Sequence, residues 1–339
     1  MKILIAGAGV AGLGIGWRLA QAGVAVTILE RGEPGMGASF AAAGMIAATA
    51  EMADAPPAEV AFAGQARALW PGFAAEVEAA SGIAVGYRQN GALMLERERP
   101  AQLPPGTHWF NEEEARRLVS ICAGMGAIWA PDEAQVDSRA LSRALAEAFC
   151  RAGGTLLTGV SVTNAEAGAM VTAAGRREAD AVIVAAGAWA AALGLPVVPV
   201  KGQMIALAPP PGGEIPDPVI WGNGVYLVPR ADRILVGATV EEAEFDLTVT
   251  DDARHDLRAR AEAVLPRLKG WTLAEHWAGL RPRSPDGLPL LGRLGNGVFV
   301  AGGQYRNGIL FAPAIADHLR DLVLGRAEVI PEFDPRRFE

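Results

Sequence analysis

Short, uninterrupted apolar runs that end in glycine-rich turns recur at wide intervals along this chain. The first is Ile3-Leu4-Ile5-Ala6, the second Ala181-Val182-Ile183-Val184, and the third Val298-Phe299-Val300-Ala301. Runs of this kind are the pattern of strands buried on both faces of a parallel sheet. Gly7-Ala8-Gly9-Val10-Ala11-Gly12 follows the first, and residues 13–22 read as a helix. Residues 24–29 give a second strand ending at Glu30. The third run leads through 304–310 into a helix from Pro313. Three strand-to-glycine turns predict one sheet whose carboxyl edge holds an extended ligand.

The middle of the chain changes period. In residues 138–152, Leu141, Leu145, Ala148 and Phe149 recur at helical spacing, with Gly153 as the stop. Residues 226–229 and 233–237 read as a hairpin turning at Ala231-Asp232. Thr250 caps a helix with Asp251 and Asp252 in its first turn; Leu257, Ala261, Val264 and Leu265 form its buried stripe. Residues 209–213 (PPPGG) are a surface loop between strands. The expected fold is α/β: a doubly wound, Rossmann-like nucleotide-binding domain with an antiparallel β-sheet substrate domain. The first comprises residues 1–85, 130–200 and 275–339, the second 86–129 and 201–274.

The first turn carries the clearest chemistry. Gly7 allows the tight turn, Gly9 lets a pyrophosphate approach the backbone, and Gly12 lets helix and strand pack closely. The helix N-terminus supplies N–H donors to the phosphates. Glu30 lies where a carboxylate accepts from ribose hydroxyls, and an acid there disfavours a 2′-phosphate. This unit does not separate FAD from NAD. The small-residue run at 38–46 (ASFAAAGMI) can lie flat against a bulky planar ligand, or else mark a tight helix contact.

Composition narrows the classes. The 339 residues hold 30 Lys+Arg against 38 Asp+Glu, a net charge of −8, with no basic run. That is a poor match for nucleic acid or an anionic membrane. Two cysteines, Cys122 and Cys150, form no disulfide framework and read as buried apolar residues. The apolar opening at 3–16 is too short to cross a bilayer. Glycine is abundant, 41 residues. No hydrolytic triad or redox CxxC is present. His108, His255 and His318 sit in polar contexts, and His276 borders the pocket or packs structurally. A cytoplasmic enzyme is expected.

The pieces GAGVAGLGIGWRLAQAG, ASFAAAGMIA, YLVPRADRILVGAT, WAGLRPRSPDGLPLLG and GGQYRNGILFAPA together resemble the D-amino-acid oxidase superfamily of FAD-dependent oxidoreductases. Within it the chain is most similar to the glycine oxidase family of thiamine biosynthesis, from Lys2 to about Gly325. The resemblance implies FAD contacts at Val10, Ala11, Glu30, Arg31, Ala38, Ser39, Ala43, Gly44 and Met45. It also implies a backbone contact to adenine from Val162, in a strand at 156–162. The isoalloxazine would meet Gln304, Tyr305, Arg306, Asn307, Gly308, Ile309 and Leu310, with Gly187 and Gly303 in the flanking turns. Arg281 and Arg306 would hold a substrate carboxylate, and Tyr226 would add a hydroxyl. Arg283 lies two residues from Arg281, and either could face solvent. The family often has His where this chain has Gln304, and the loop at 240–246 departs from its pattern.

Without an evident general base, the implied reaction is hydride transfer from Cα of a neutral amine to flavin N5, imine hydrolysis, and reduction of oxygen to hydrogen peroxide. Relatives that attach flavin covalently use a cysteine toward the C-terminal half, so FAD is expected to be non-covalent here. A homo-oligomer is implied by the family. Two other readings remain: a dehydrogenase for D-amino acids or glycine with a non-oxygen acceptor, and a non-catalytic FAD-bound partner subunit.

Overall fold

The computed structural model describes residues 1–52, 55–121 and 123–339; Cys122 lies outside them. A six-stranded sheet runs in the order Leu290–Arg293, Phe299–Gly302, Ala181–Val184, Lys2–Ala6, Ala25–Leu29, Thr155–Leu157. Every neighbouring pair is parallel except the first. Ile3 lies between Val26 and Ala181 in register, so the strand that feeds the glycine turn is central.

Side chains on a strand alternate between faces, and that alternation builds the layers here. Ile3 and Ile5 pack toward the helices Val10–Gln21, Pro57–Ser81, Ser138–Arg151 and Ala312–Val323. Leu4 and Ala6 face the other way, with Met170, Leu195 and Val197. A three-stranded antiparallel sheet of Gly175–Glu178, Ala169–Thr172 and Val162–Glu166 covers that side. The strand expected at 156–162 divides accordingly. Thr155–Leu157 ends in the large sheet, Gly159 turns at φ +69°, and Val162 opens the small sheet.

A second, eight-stranded sheet has Thr272–Arg283 at one edge, then Val198–Ala208, Ile234–Gly237, Val225–Pro229, Val219–Gly222, Ala92–Glu96, Gly126–Ala130 and His108–Phe110. All its pairs are antiparallel except that of Val219–Gly222 with Ala92–Glu96. Along Val198–Ala208, Ile205 and Leu207 pack toward the helix Asp251–Val264, while Met204 and Ala206 face Ala41, Ala43 and Trp277. The expected boundary at 129/130 cuts the strand Gly126–Ala130, and those at 200/201 and 274/275 fall inside two paired strands of this sheet. Ladder pairing from Val198↔Arg283 to Ala208↔Thr272 keeps both whole strands in it.

The helix Ser138–Arg151 buries Leu141, Leu145, Ala148 and Phe149, as its spacing predicts. Asp137 caps it, accepting from the backbone N–H of Arg139 and of Ala140, each at 2.9 Å. Replacing such a cap with alanine costs about 1 kcal/mol. Asp137→Ala is expected to lower the urea midpoint measurably, whereas Asp137→Asn, which keeps the acceptor, should hold it. Equal losses in both variants would contradict the capping role.

Candidate active site

The first strand delivers the chain into a turn that glycine alone fits. Gly7 has φ +104°, and a Cβ there would collide with the Ala185 carbonyl. A Cβ on Gly12 would collide with the carbonyl of Gly7. Helix Val10–Gln21 begins directly after Gly9, three residues earlier than the apolar pattern predicts. Ser39 Oγ accepts from the Val10 N–H at 3.0 Å. Glu30 braces the same turn: its carboxylate accepts from the N–H of Ala8 at 2.7 Å and of Gly32 at 2.9 Å. Carboxylate oxygens have lone pairs to spare, so this bracing leaves acceptor capacity toward the cavity.

A cavity of about 980 Å³ extends from this turn to the face of the eight-stranded sheet. Val10, Ala11, Glu30, Arg31, Ala38, Ser39, Ala43, Gly44, Met45, Val162 and Gly187 line it. So do Gly7, Gly9, the whole of 304–310, Tyr226 and Arg281. Gly12 and Gly303 are outside its lining; both act by letting backbone pass closely, Gly303 at φ +69°.

The far end is charged. Arg281 faces the cavity and donates to the carbonyls of Thr239 at 3.2 Å and Lys201 at 3.3 Å. Arg283 is exposed and lies over the Tyr305 ring, which decides between the two arginines. Arg306 Nη1 is 3.8 Å from Glu51 Oε2. Burial pushes the Tyr226 hydroxyl pKa up, against the pull of Arg281. Burial also raises the Glu51 carboxyl, against Arg306 and Arg281. His276 Nε2 donates to Gln203 Oε1, 3.2 Å away, and does not line the cavity.

Several contributors carry no sequence signature. Glu51 is one, reached only because the segment after Ile46 folds back along the cavity. Arg230, half-buried in the hairpin, donates to the carbonyls of Ala43 and Val136 and to Gln135 Oε1. Asn307 is held by Glu59 at 3.2 Å and the Leu310 carbonyl by Trp70 at 2.9 Å, both from the long helix Pro57–Ser81. Arg31 stacks on Trp189 at 3.5 Å. Gly202 and Gly237 make room for site side chains: a Cβ on either would strike the Arg281 guanidinium or the Tyr226 ring, respectively. Those glycines were the missed signal.

Cys150 departs from expectation: it is exposed on the outer face of its helix, not buried. His108 and His255 are exposed, but His318 is half-buried, and burial lowers its pKa. Among the described residues no His/Cys/Asp/Glu cluster could hold a metal, and no helix is long and apolar enough to cross a membrane.

FAD fits this cavity on three observations. The glycine turn and helix N-terminus offer a phosphate cradle, the run at 38–45 lines the wall with small side chains, and the buried Gln304 Nε2 has no partner among the described residues. A buried donor of that kind calls for an acceptor.

The family model described as FAD dependent oxidoreductase (DAO) matches residues 2–322. Glycine oxidase from Geobacillus kaustophilus is 35% identical, aligned over 95% of this chain and 92% of its own length. Its counterpart from Pseudomonas aeruginosa is 33% identical, over 97% and 96%. The bifunctional protein ThiO/ThiG of a Synechocystis strain is 36% identical over 99% of this chain, which spans only 54% of that protein. The crystal structure of the Geobacillus glycine oxidase superposes with a TM-score of 0.92 at 33% identity, covering 99% of each chain. That of an iminodiacetate oxidase from Chelativorans gives 0.88 at 29% identity, covering 98% of each. The chain belongs to the DAO family of FAD-dependent oxidoreductases.

Proposed function

We propose that this enzyme oxidatively deaminates glycine or a comparably small amino acid, with oxygen as electron acceptor and thiamine biosynthesis as its setting. The observation that carries this reading is the pair Arg281 and Arg306 beside Tyr226, at the opposite end of one cavity from the nucleotide turn. Full-length similarity to glycine oxidases supports it.

In this reading Arg306 and Arg281 bind the substrate carboxylate. A guanidinium holds both oxygens in its planar fork and stays charged. Tyr226 adds a hydroxyl, and its ring stays fixed against Gly237. FAD, held non-covalently, would supply the acceptor for a hydride equivalent from Cα and the route of that electron pair to oxygen, which with two protons becomes hydrogen peroxide. Water then hydrolyses the released imine to the oxo acid and ammonia. The protein contributes orientation and electrostatics. Gly7, Gly9, Val10, Ala11, Glu30, Arg31, Ala38, Ser39, Ala43, Gly44, Met45, Val162 and 304–310 would hold the cofactor, with Gly12, Gly187 and Gly303 shaping its turns. The domain division of 1–85, 130–200 and 275–339 against the remainder is kept as a proposal, its edges moved to 130/131, 197/198 and 283/284. A cytoplasmic location and a homo-oligomer complete the reading.

Two variants test it. Arg306→Ala should lower kcat/KM for glycine about a hundredfold or more in a peroxide assay while still purifying with FAD; unchanged kcat/KM would remove the carboxylate anchor. Glu30→Ala should weaken FAD binding about tenfold or more, as expected when charged hydrogen bonds are lost. FAD affinity equal to wild type by fluorescence titration would reject that role.

A further inference from the structure

Of the four acids that line the cavity among the described residues, Glu30 and Glu33 sit at the nucleotide turn, and Asp256 pairs with Arg260 at 2.8 Å. Glu51 alone stands at the arginine end. Its side chain is only 13% exposed, and among the described residues its nearest charged partner is Arg306 at 3.8 Å. Arg281 and Tyr226 from the eight-stranded sheet, Arg306 from the 304–310 loop and Glu59 from the long helix all face it.

The position is built. Ala47 accepts from the Glu51 N–H at 3.2 Å. Buried Glu133 accepts from the Thr49 N–H at 2.9 Å, and Arg67 donates to Thr49 Oγ1 at 3.4 Å. A carboxylate kept this far from water is costly unless a cation or donor meets it. Glu51 thus stands 3.8 Å from the guanidinium that would hold the substrate carboxylate, and the α-amino group is borne on the carbon next to that carboxylate.

Building on the amino-acid oxidase reading above, we propose that Glu51 takes the amino end of the substrate, accepting a proton from its ammonium group and turning away a second anion on that nitrogen. The ammonium N–H bond breaks, an O–H bond forms on Glu51, and the electron pair stays on nitrogen. Neutral amine results, the form from which hydride can leave Cα. No oxidant is consumed in this step. Glu51 must be ionised to act, and its pKa is raised, so activity falls on acidification above the ordinary carboxylate range.

The test is the pH profile of kcat/KM for FAD-loaded wild type, Glu51→Gln and Glu51→Asp, with glycine and with iminodiacetate. Wild type should show a plateau from the Glu51 limb up to the amine's own pKa. Glu51→Gln should lose the plateau, rise about tenfold per pH unit toward the amine pKa, and narrow the glycine-over-iminodiacetate preference about tenfold or more. Glu51→Asp should keep a plateau with its acid limb displaced. A Gln variant with the wild-type plateau and preference would overturn the assignment. Were Glu51→Gln to lose its flavin, an unmoved limb in Glu51→Asp would overturn it equally. Wild-type enzyme that glycine fails to reduce would instead overturn the amino-acid reading, a result separate from the variant comparison.

Discussion

Residues 40–44 close the short helix Ala38–Ala41 and run on without regular structure between the eight-stranded sheet and the helix Ser138–Arg151, and a buried carbonyl without a donor is costly. Each of the five carbonyls has one. Arg139 Nε reaches Phe40 at 3.3 Å, Trp277 Nε1 reaches Ala41 at 3.1 Å, and Ser138 Oγ reaches Ala42 at 2.7 Å. Arg230 serves Ala43, and the Val136 N–H serves Gly44 at 2.8 Å. These donors come from the eight-stranded sheet, from the helix Ser138–Arg151 and from the residues leading into that helix. The stretch is therefore the seam that fixes one sheet against the other, and the cavity exists because the seam holds.

Once the seam is fixed, the polarity of the cavity follows. One end is made of main-chain N–H groups at a helix start, suited to phosphate. The other presents the guanidinium of Arg281 from the sheet and that of Arg306 from the 304–310 loop, with Glu51 the single carboxylate beside them among the described residues. Small residues on the wall keep the passage open: a Cβ on Gly279 would strike Ala41, and one on Gly202 would strike Arg281. A phosphate cradle at one end, guanidinium groups at the other and small apolar side chains between them suit a long cofactor with a small anionic substrate at its tip.

The parts of this arrangement that repeat along the chain were legible beforehand. Strand, glycine turn, helix and terminal Glu30 announce themselves by spacing, and the hairpin at 225–237 and the capped helix from Thr250 follow period and turn chemistry. Glu51 and Arg230 were not legible, because nothing local marks them; their roles arise from long-range packing. Glu30 was seen in one role, toward ribose, but its bracing of Ala8 and Gly32 needed coordinates. Cys150 was misplaced because the helical stripe at Leu141, Leu145 and Phe149 turns it outward. The domain edges failed for a related reason: composition does not reveal that Val198–Ala208 and Thr272–Arg283 pair along their full length.

The proposed function brings a small amino acid to an FAD in this cavity. The most direct measurement is anaerobic: glycine is added to the purified yellow protein and the flavin absorbance followed, then air is readmitted. Glycine is expected to bleach the flavin, and the oxidised spectrum to return with peroxide on exposure to oxygen. A bound flavin that stays oxidised with glycine and with a panel of small amino acids would contradict it.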